Sequence, residues 1–327
     1  MRIVFLGSGA FALPTLRWLC NGAHQVVLAL TQPAKGSGRG RHVTRTPVRA
    51  LADELGLESL EVENVNAPAV LSRLSPLDAR LGLVIAFGQK LGPDFLRLFP
   101  RGCINLHASL LPRYRGAAPI NWAILRGEKR TGCTVFRIVD RMDAGPVLTS
   151  RATTIGPEET AGELHDRLAA IGVDAVQAAL ELFAGQQNPQ GSPQRDDEAT
   201  PAPKLKKSDG SIRFDRPAAE VAGHIRGMSP WPGAAARFQA ANQRWEDVIL
   251  LRARQADAPS PPTVPPGTID SRRHVAARDG FVEILEIKPS SGRLMTWAEY
   301  VNGRHVAAGD QFVTPTSRAD ENTDAVR

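Results

Sequence analysis

The chain opens on Arg2–Leu16, R-I-V-F-L-G-S-G-A-F-A-L-P-T-L. A β-branched and aromatic run from Arg2 to Leu6 stops at Gly7. Phe11, Leu13, Leu16 and Leu19 then recur at helical spacing until Asn21-Gly22. The pattern predicts a buried strand that turns into a helix. Between the two, Gly7-Ser8-Gly9-Ala10-Phe11-Ala12 fits G-x-G-x-x-A, the first half of a dinucleotide-binding fingerprint. The full fingerprint needs an acid at the end of the second strand to hold the adenine ribose. That strand, Gln25 to Leu30, runs into Thr31-Gln32-Pro33 without one. The glycine turn is therefore expected to shape a scaffold, and an oxidoreductase reading fails at this point.

Working outward, LVIAF (Leu83 to Phe87), CINL (Cys103 to Leu106) and TVFRIV (Thr134 to Val139) read as further buried strands. Helical patterns stand at Pro47 to Leu55, Ile120 to Leu125 and Thr160 to Phe183. Strand and helix in alternation predict an α/β domain with a Rossmann-like parallel sheet over residues 1–185. A polar, Pro-rich stretch follows and is read as a linker over 186–207. Beyond it come short strands at Ser211 to Asp215, Ala234 to Phe238, Asp247 to Ala253 and Phe281 to Ile287, with one helix at Ala218 to Gly227. This predicts a small β-barrel over 208–314, with 315–327 as a frayed tail.

The 327 residues suit two domains. No apolar run reaches the length of a membrane span, and Leu6 passes straight into Gly-Ser-Gly rather than into a signal-peptide core. Cys20, Cys103 and Cys133 are odd in number and lack metal-ligand spacing, which suits a reduced, cytoplasmic setting. The net charge is +6. Part of it sits in KGSGRGRHVTRTPVR, Lys35 to Arg49, which holds no acid and reads as a flexible basic loop. Such a loop fits a nucleic-acid partner or a plain solvated surface.

The segment CINLHASLLPRYRGAAPINWAI, Cys103 to Ile124, bears the chemistry. Alternation along its strand sets Asn105 and His107 on one face, at the C-terminal sheet edge where open α/β sheets place ligands. An amide donor beside an imidazole suits stabilisation of a carbonyl oxygen in acyl transfer. As a pair they equally suit capping of neighbouring backbone. About 25 residues beyond Pro119, Asp143 follows another apolar strand, from where its carboxylate can reach the His107 ring and accept a proton from an attacking amine.

N-x-H-x-S-L-L-P, then Y-R-G-A-A-P, then M-D-A-G-P, resembles the folate-dependent formyltransferases, and within them the branch acting on methionyl-tRNA. Thr31-Gln32-Pro33 before the basic loop, Ala86-Phe87-Gly88-Gln89, Pro203-Lys204-Leu205 and Ser229-Pro230-Trp231-Pro232-Gly233 carry the likeness from Arg2 to about Val313. The resemblance implies transfer of formyl from 10-formyltetrahydrofolate to the α-amine of initiator methionyl-tRNA, by a cytoplasmic monomer that needs no metal. It implies Asn105, His107 and Asp143 as the catalytic trio. Ser109, Leu110, Leu111 and Pro112, with backbone near Phe87, Gly88 and Gln89, would hold the folate. Arg39 and Arg41 would meet the tRNA acceptor stem. An oligonucleotide-binding-like barrel would add basic contacts.

One departure stands out. The family commonly has Gly-Leu-Asp-Thr-Gly-Asp around its aspartate, whereas this chain has Arg141-Met142-Asp143-Ala144-Gly145-Pro146. Ala144 and Pro146 remove side-chain hydrogen bonds from that loop. Rival readings are a formyltransferase for an amino sugar nucleotide or for glycinamide ribonucleotide, and a non-catalytic RNA-binding protein. The intact trio opposes the last of these. The Arg39 loop and the S-P-W-P-G stretch favour tRNA over a sugar.

Overall fold

The computed structural model describes residues 1–37, 42–241, 244–258 and 260–314. Arg39, Arg41 and the expected tail lie outside the described residues. Two compact units divide the chain. One holds Met1–Pro119, Arg130–Thr154 and His165–Pro203, and the other holds Ile120–Lys129, Ile155–Leu164 and the chain from Lys204 onward.

In the first unit seven strands form one sheet: β1 (Arg2–Gly7), β2 (Gln25–Thr31), β3 (Ser59–Glu61), β4 (Leu81–Ile85), β5 (Cys103–His107), β6 (Arg130–Arg137) and β7 (Val147–Thr154). Their order is β7-β6-β5-β4-β1-β2-β3. Strands β1 to β5 run parallel, as expected. Strand β6 alone runs against the others, antiparallel to both of its neighbours, β5 and β7. The register explains it. His107 pairs with Thr134 and Ile104 with Arg137, so β6 starts from the end where β5 finishes. A parallel pair needs a crossover that carries the chain back to the far end, and residues 108–129 make none on this sheet.

Strand β1 is central because its four inner residues are all apolar. Ile3, Val4, Phe5 and Leu6 are each 0% exposed, and a side chain of that size stabilises by roughly 1.5–3 kcal/mol on burial. Val4 and Leu6 share a core with Leu28, Leu30, Val84 and Phe87. A Cβ on Gly7 would sit 2.9 Å from the Ile85 carbonyl oxygen and from the Phe5 ring, so only glycine lets β1 end here. The expected helix begins as a 3-10 turn at Ala10–Ala12 and becomes α-helical at Leu13–Cys20, with Pro14 in its first turn. The helix Ala161–Gly185 is long and apolar enough, by length and composition, to cross a membrane, although charged residues interrupt it. Its Leu168, Val176, Leu180 and Phe183 are buried, and Gly172 lies against Leu106 of β5, so its apolar face serves the sheet.

In the second unit the strands are antiparallel: β8 (Ala234–Gln239), β9 (Trp245–Gln255), β10 (Val275–Ala276), β11 (Phe281–Pro289), β12 (Met295–Thr296) and β13 (Gln311–Val313). The main order is β10-β11-β9-β8-β13. Bridges Thr268↔Gln311 and Ile269↔Val275 link the two ends and nearly close the barrel. Phe238, Trp297, Tyr300 and Phe312 are buried and in ring contact, Trp297 stacked on Tyr300 and Phe238 edge-on to Tyr300 and Phe312. Ser211 to Asp215, expected as a strand, makes only one bridge, Ser211↔Ala235. It still buries Ile212 and Phe214, which is why its alternation looked strand-like.

The expected linker is largely built into the first unit. Ser192 bridges to Val147, and Pro201–Ala202 pairs in parallel with Arg115–Gly116. Backbone groups of a polar stretch must find partners, and here they find them on β7 and on the loop that follows β5.

Candidate active site

The C-terminal ends of β2, β1, β4 and β5 lie side by side, with Leu30 paired to Leu6, Leu6 to Val84 and Val84 to Asn105. The strand order reverses between β1 and β4, the crevice where doubly wound sheets place ligands.

The glycine turn does not offer its amides there. Ser8 N–H and Gly9 N–H donate to the Ala86 carbonyl at 3.1 and 3.3 Å. The Ser8 hydroxyl accepts from Gln32 N–H at 3.0 Å. The groups that would cradle a pyrophosphate are spent on the loop after β4. Gln32, standing where a ribose-binding acid belongs, donates its amide to the Phe87 carbonyl at 2.7 Å.

Asn105 and His107 do project together from β5. His107 is buried, and its Nε2 lies 2.8 Å from the Tyr114 carbonyl oxygen. A carbonyl only accepts, so Nε2 carries the hydrogen and Nδ1 is left for chemistry. Nδ1 lies 3.8 Å from Asp143 Oδ2. That is too long for a direct hydrogen bond, although catalytic contacts of this kind are often long before substrate arrives. Asp143 Oδ2 also accepts from Gly116 N–H at 2.8 Å. The half-buried Asn105 amide has no hydrogen-bond partner among the described residues. The structure thus brings the expected trio together and leaves one donor uncommitted.

Strain concentrates here. Ala86, Tyr114 and Asp143 have φ of 49°, 62° and 50°. Non-glycine residues in this region cost of order 1–3 kcal/mol and persist only where their surroundings hold them. Gly116, at φ 128°, lies so close to Ala202 that a Cβ would sit 2.5 Å from its carbonyl oxygen. At Gly145 a Cβ would overlap the Arg137 carbonyl oxygen.

The residues expected to hold folate divide in two. Ser109 is fully buried, its hydroxyl donating to the Arg113 carbonyl at 2.6 Å, and its carbonyl accepts from Thr134 Oγ1 at 2.7 Å. It closes the loop and offers no side chain. The Phe87 ring is in the core. Gln89 holds Val62 and Val65 through both ends of its amide, at 2.8 Å each. What faces outward is the backbone at Ala86 and Gly88, both exposed, and half-buried Leu110, Leu111 and Pro112 on the neighbouring strand's loop.

The sequence did not reveal what supports the Asp143 loop, where Ala144 and Pro146 supply nothing. Gln194 does so: its Nε2 donates to the Asp143 carbonyl at 2.8 Å and to the Gly145 carbonyl at 2.7 Å. Arg115 joins Gln194 to Asp196, and Asp196 also pairs with Arg141. Arg115, with Arg141 behind it, holds the Asp196 carboxyl below its usual range. Burial pushes the Cys103 and Cys133 thiols up to about 12, so neither is a thiolate nucleophile.

Residues 1–180 match the formyl transferase family and residues 204–305 match the formyl transferase C-terminal domain. A methionyl-tRNA formyltransferase of Solibacter usitatus is 39% identical over 95% of this chain and 98% of its own. One of Syntrophus aciditrophicus is 36% identical over 94% and 98%. Among solved structures, the sugar 3N-formyl transferase WlaRD shares the fold, with a TM-score of 0.63 at 15% identity over 90% of this chain and 99% of that one. With identity of this level along nearly its whole length, and both domains matched, the chain belongs to the methionyl-tRNA formyltransferase family.

Proposed function

We propose that this chain transfers the formyl group of 10-formyltetrahydrofolate to the free α-amine of initiator methionyl-tRNA and releases tetrahydrofolate. One observation carries the reading: Asn105, His107 and Asp143 converge at one sheet edge, in a chain matched along nearly its full length by relatives that bear that name. An aminoacyl-tRNA substrate places the work in the cytoplasm.

The amine nitrogen attacks the formyl carbon on N10 and a tetrahedral oxyanion forms. Asn105, with its amide uncommitted, donates to that oxygen. His107 is oriented by the Tyr114 carbonyl, and its protonated Nδ1 donates too. A well-placed donor of this kind is worth about 3 kcal/mol of barrier. Asp143 takes the proton that the amine loses. The C–N10 bond breaks, N10 takes a proton from His107, and Asp143 returns one to the ring. Leu110, Leu111 and Pro112 form an apolar wall for the flat pterin, while backbone at Ala86 and Gly88 meets its polar edge. Arg39 and Arg41 bind acceptor-stem phosphates, which supply affinity rather than chemistry.

The test is a purified-protein assay with charged initiator tRNA and 10-formyltetrahydrofolate. Formylmethionyl-tRNA is the expected product. No formylation, together with turnover of an amino sugar nucleotide, would assign the chain to the sugar branch instead.

A further inference from the structure

We propose that residues 192–202 form a positioning strap, in which Gln194 and Thr200 fix the placement of Asp143 and His107 through the backbone. The inference rests on the catalytic roles proposed above.

Gln194 is half-buried in a run whose neighbours Ser192, Pro193 and Arg195 to Glu198 are exposed. Its side-chain amide is fully used. Both N–H groups go to the carbonyls of Asp143 and Gly145. The oxygen accepts from Arg115 Nε and Nη2 at 3.0 and 2.7 Å. Four bonds from one amide is its whole capacity. Two of them end on the backbone on either side of Ala144, at the point where Asp143 is held at φ 50°. Pro146 and Ala144 have no side-chain donor, so Gln194 stands in for what the loop lacks.

Thr200 acts the same way on the other partner. Its Oγ1 accepts from Tyr114 N–H at 2.9 Å, and its carbonyl accepts from Arg115 N–H at 2.9 Å. Tyr114 is the second left-handed residue, and its carbonyl is the group that orients the His107 ring. Two residues on, Gly116 N–H holds Asp143 Oδ2. One segment therefore touches the backbone beside each catalytic group and touches neither group itself. Misplacement by about 1 Å can cost a hundredfold in rate, because the near-attack geometry is lost.

The experiment compares Gln194→Glu, Thr200→Val and Thr200→Ser with wild type by kcat, KM and pH profile in the formylation of methionyl-tRNA. Gln194→Glu is isosteric and keeps acceptors for Arg115, but it turns a double donor into a carboxylate facing two carbonyls. The expected result is a ten- to hundredfold fall in kcat, with KM for methionyl-tRNA within threefold and the limbs of the pH–kcat profile displaced. Thr200→Val should lower kcat in the same way, and Thr200→Ser, which keeps the hydroxyl, should restore it to within threefold of wild type. A purely structural role would lower the amount of folded enzyme and leave kcat per folded site and its pH profile unchanged; that result overturns the proposal. If Gln194→Glu does not fold, the Thr200 pair decides, and equal kcat in Thr200→Val, Thr200→Ser and wild type overturns it. A wild-type protein that formylates no methionyl-tRNA overturns the functional reading first, and this inference with it.

Discussion

Replacing Asn105 by alanine separates catalysis from stability more cleanly than any other change at the site. The Asn105 amide is half-buried and bonded to no described residue, so its removal orphans no buried group. Its backbone stays within β5, paired to Val84 and Phe136. Stability should therefore change by less than about 1 kcal/mol. Catalysis loses one oxyanion donor, about 3 kcal/mol, or roughly 150-fold in kcat at about 1.4 kcal/mol per decade. Asn105→Asp should do worse, since it removes the donor and sets a negative charge beside the developing oxyanion. His107→Ala is the contrast. It removes the ring from the buried Tyr114 carbonyl as well as from the reaction, so it should cost about 1–3 kcal/mol of stability along with turnover. Steady-state formylation with both substrates saturating gives kcat, and denaturant unfolding gives stability. A kcat for Asn105→Ala within fivefold of wild type refutes the oxyanion role. A stability loss larger than that of His107→Ala refutes the claim that the amide is uncommitted.

Asp143→Asn keeps an acceptor for Gly116 N–H but loses the charge and the base, so kcat should fall at least a hundredfold with KM for methionyl-tRNA little changed; equal kcat would remove Asp143 from the trio. In the barrel unit Arg252, first through its hydrogen bond, holds the Glu163 carboxyl down at about 2. The depressed value means that stability from this pair is present above the unfolded carboxylate range and is lost as pH falls through about 2. Half-exposed and screened, the pair is worth below about 1 kcal/mol. Glu163→Gln should thus destabilise slightly at pH 7 and converge with wild type in acid unfolding curves. A gap that persists below pH 2 contradicts the linkage. NAD or NADP added in a fluorescence titration should give no binding signal, because Ser8 and Gly9 amides are tied to Ala86; saturable binding would mean the turn can open. Arg39→Ala with Arg41→Ala should flatten the salt dependence of tRNA kinetics, while an unchanged slope would reduce that loop to a solvated surface.

What could be read from the sequence, and what could not, divides along one physical line. The trio was legible because its logic is local: alternation in a five-residue strand sets Asn105 and His107 on one face, and an aspartate after the next apolar strand returns beside them. The antiparallel turn of β6 is not legible there: β6 ends opposite Ile104, so the Asp143 loop leaves from the far end of β5 and runs back to His107. The strap was invisible for a different reason. Gln194 meets Arg115 across 79 positions, and nothing in a polar, Pro-rich run says which carbonyls its amide will find. Composition reads such a run as linker because it lacks a core pattern, but a segment can be fixed entirely by hydrogen bonds to strained backbone. The opening glycines carry the same lesson in reverse. G-S-G-A-F-A announces exposed amides, and only the position of the Ala86 carbonyl shows that they are already taken. Side chains that act directly leave a local pattern. Groups that act by holding the backbone of another residue leave none, and here they decide both what the turn cannot bind and where His107 and Asp143 stand.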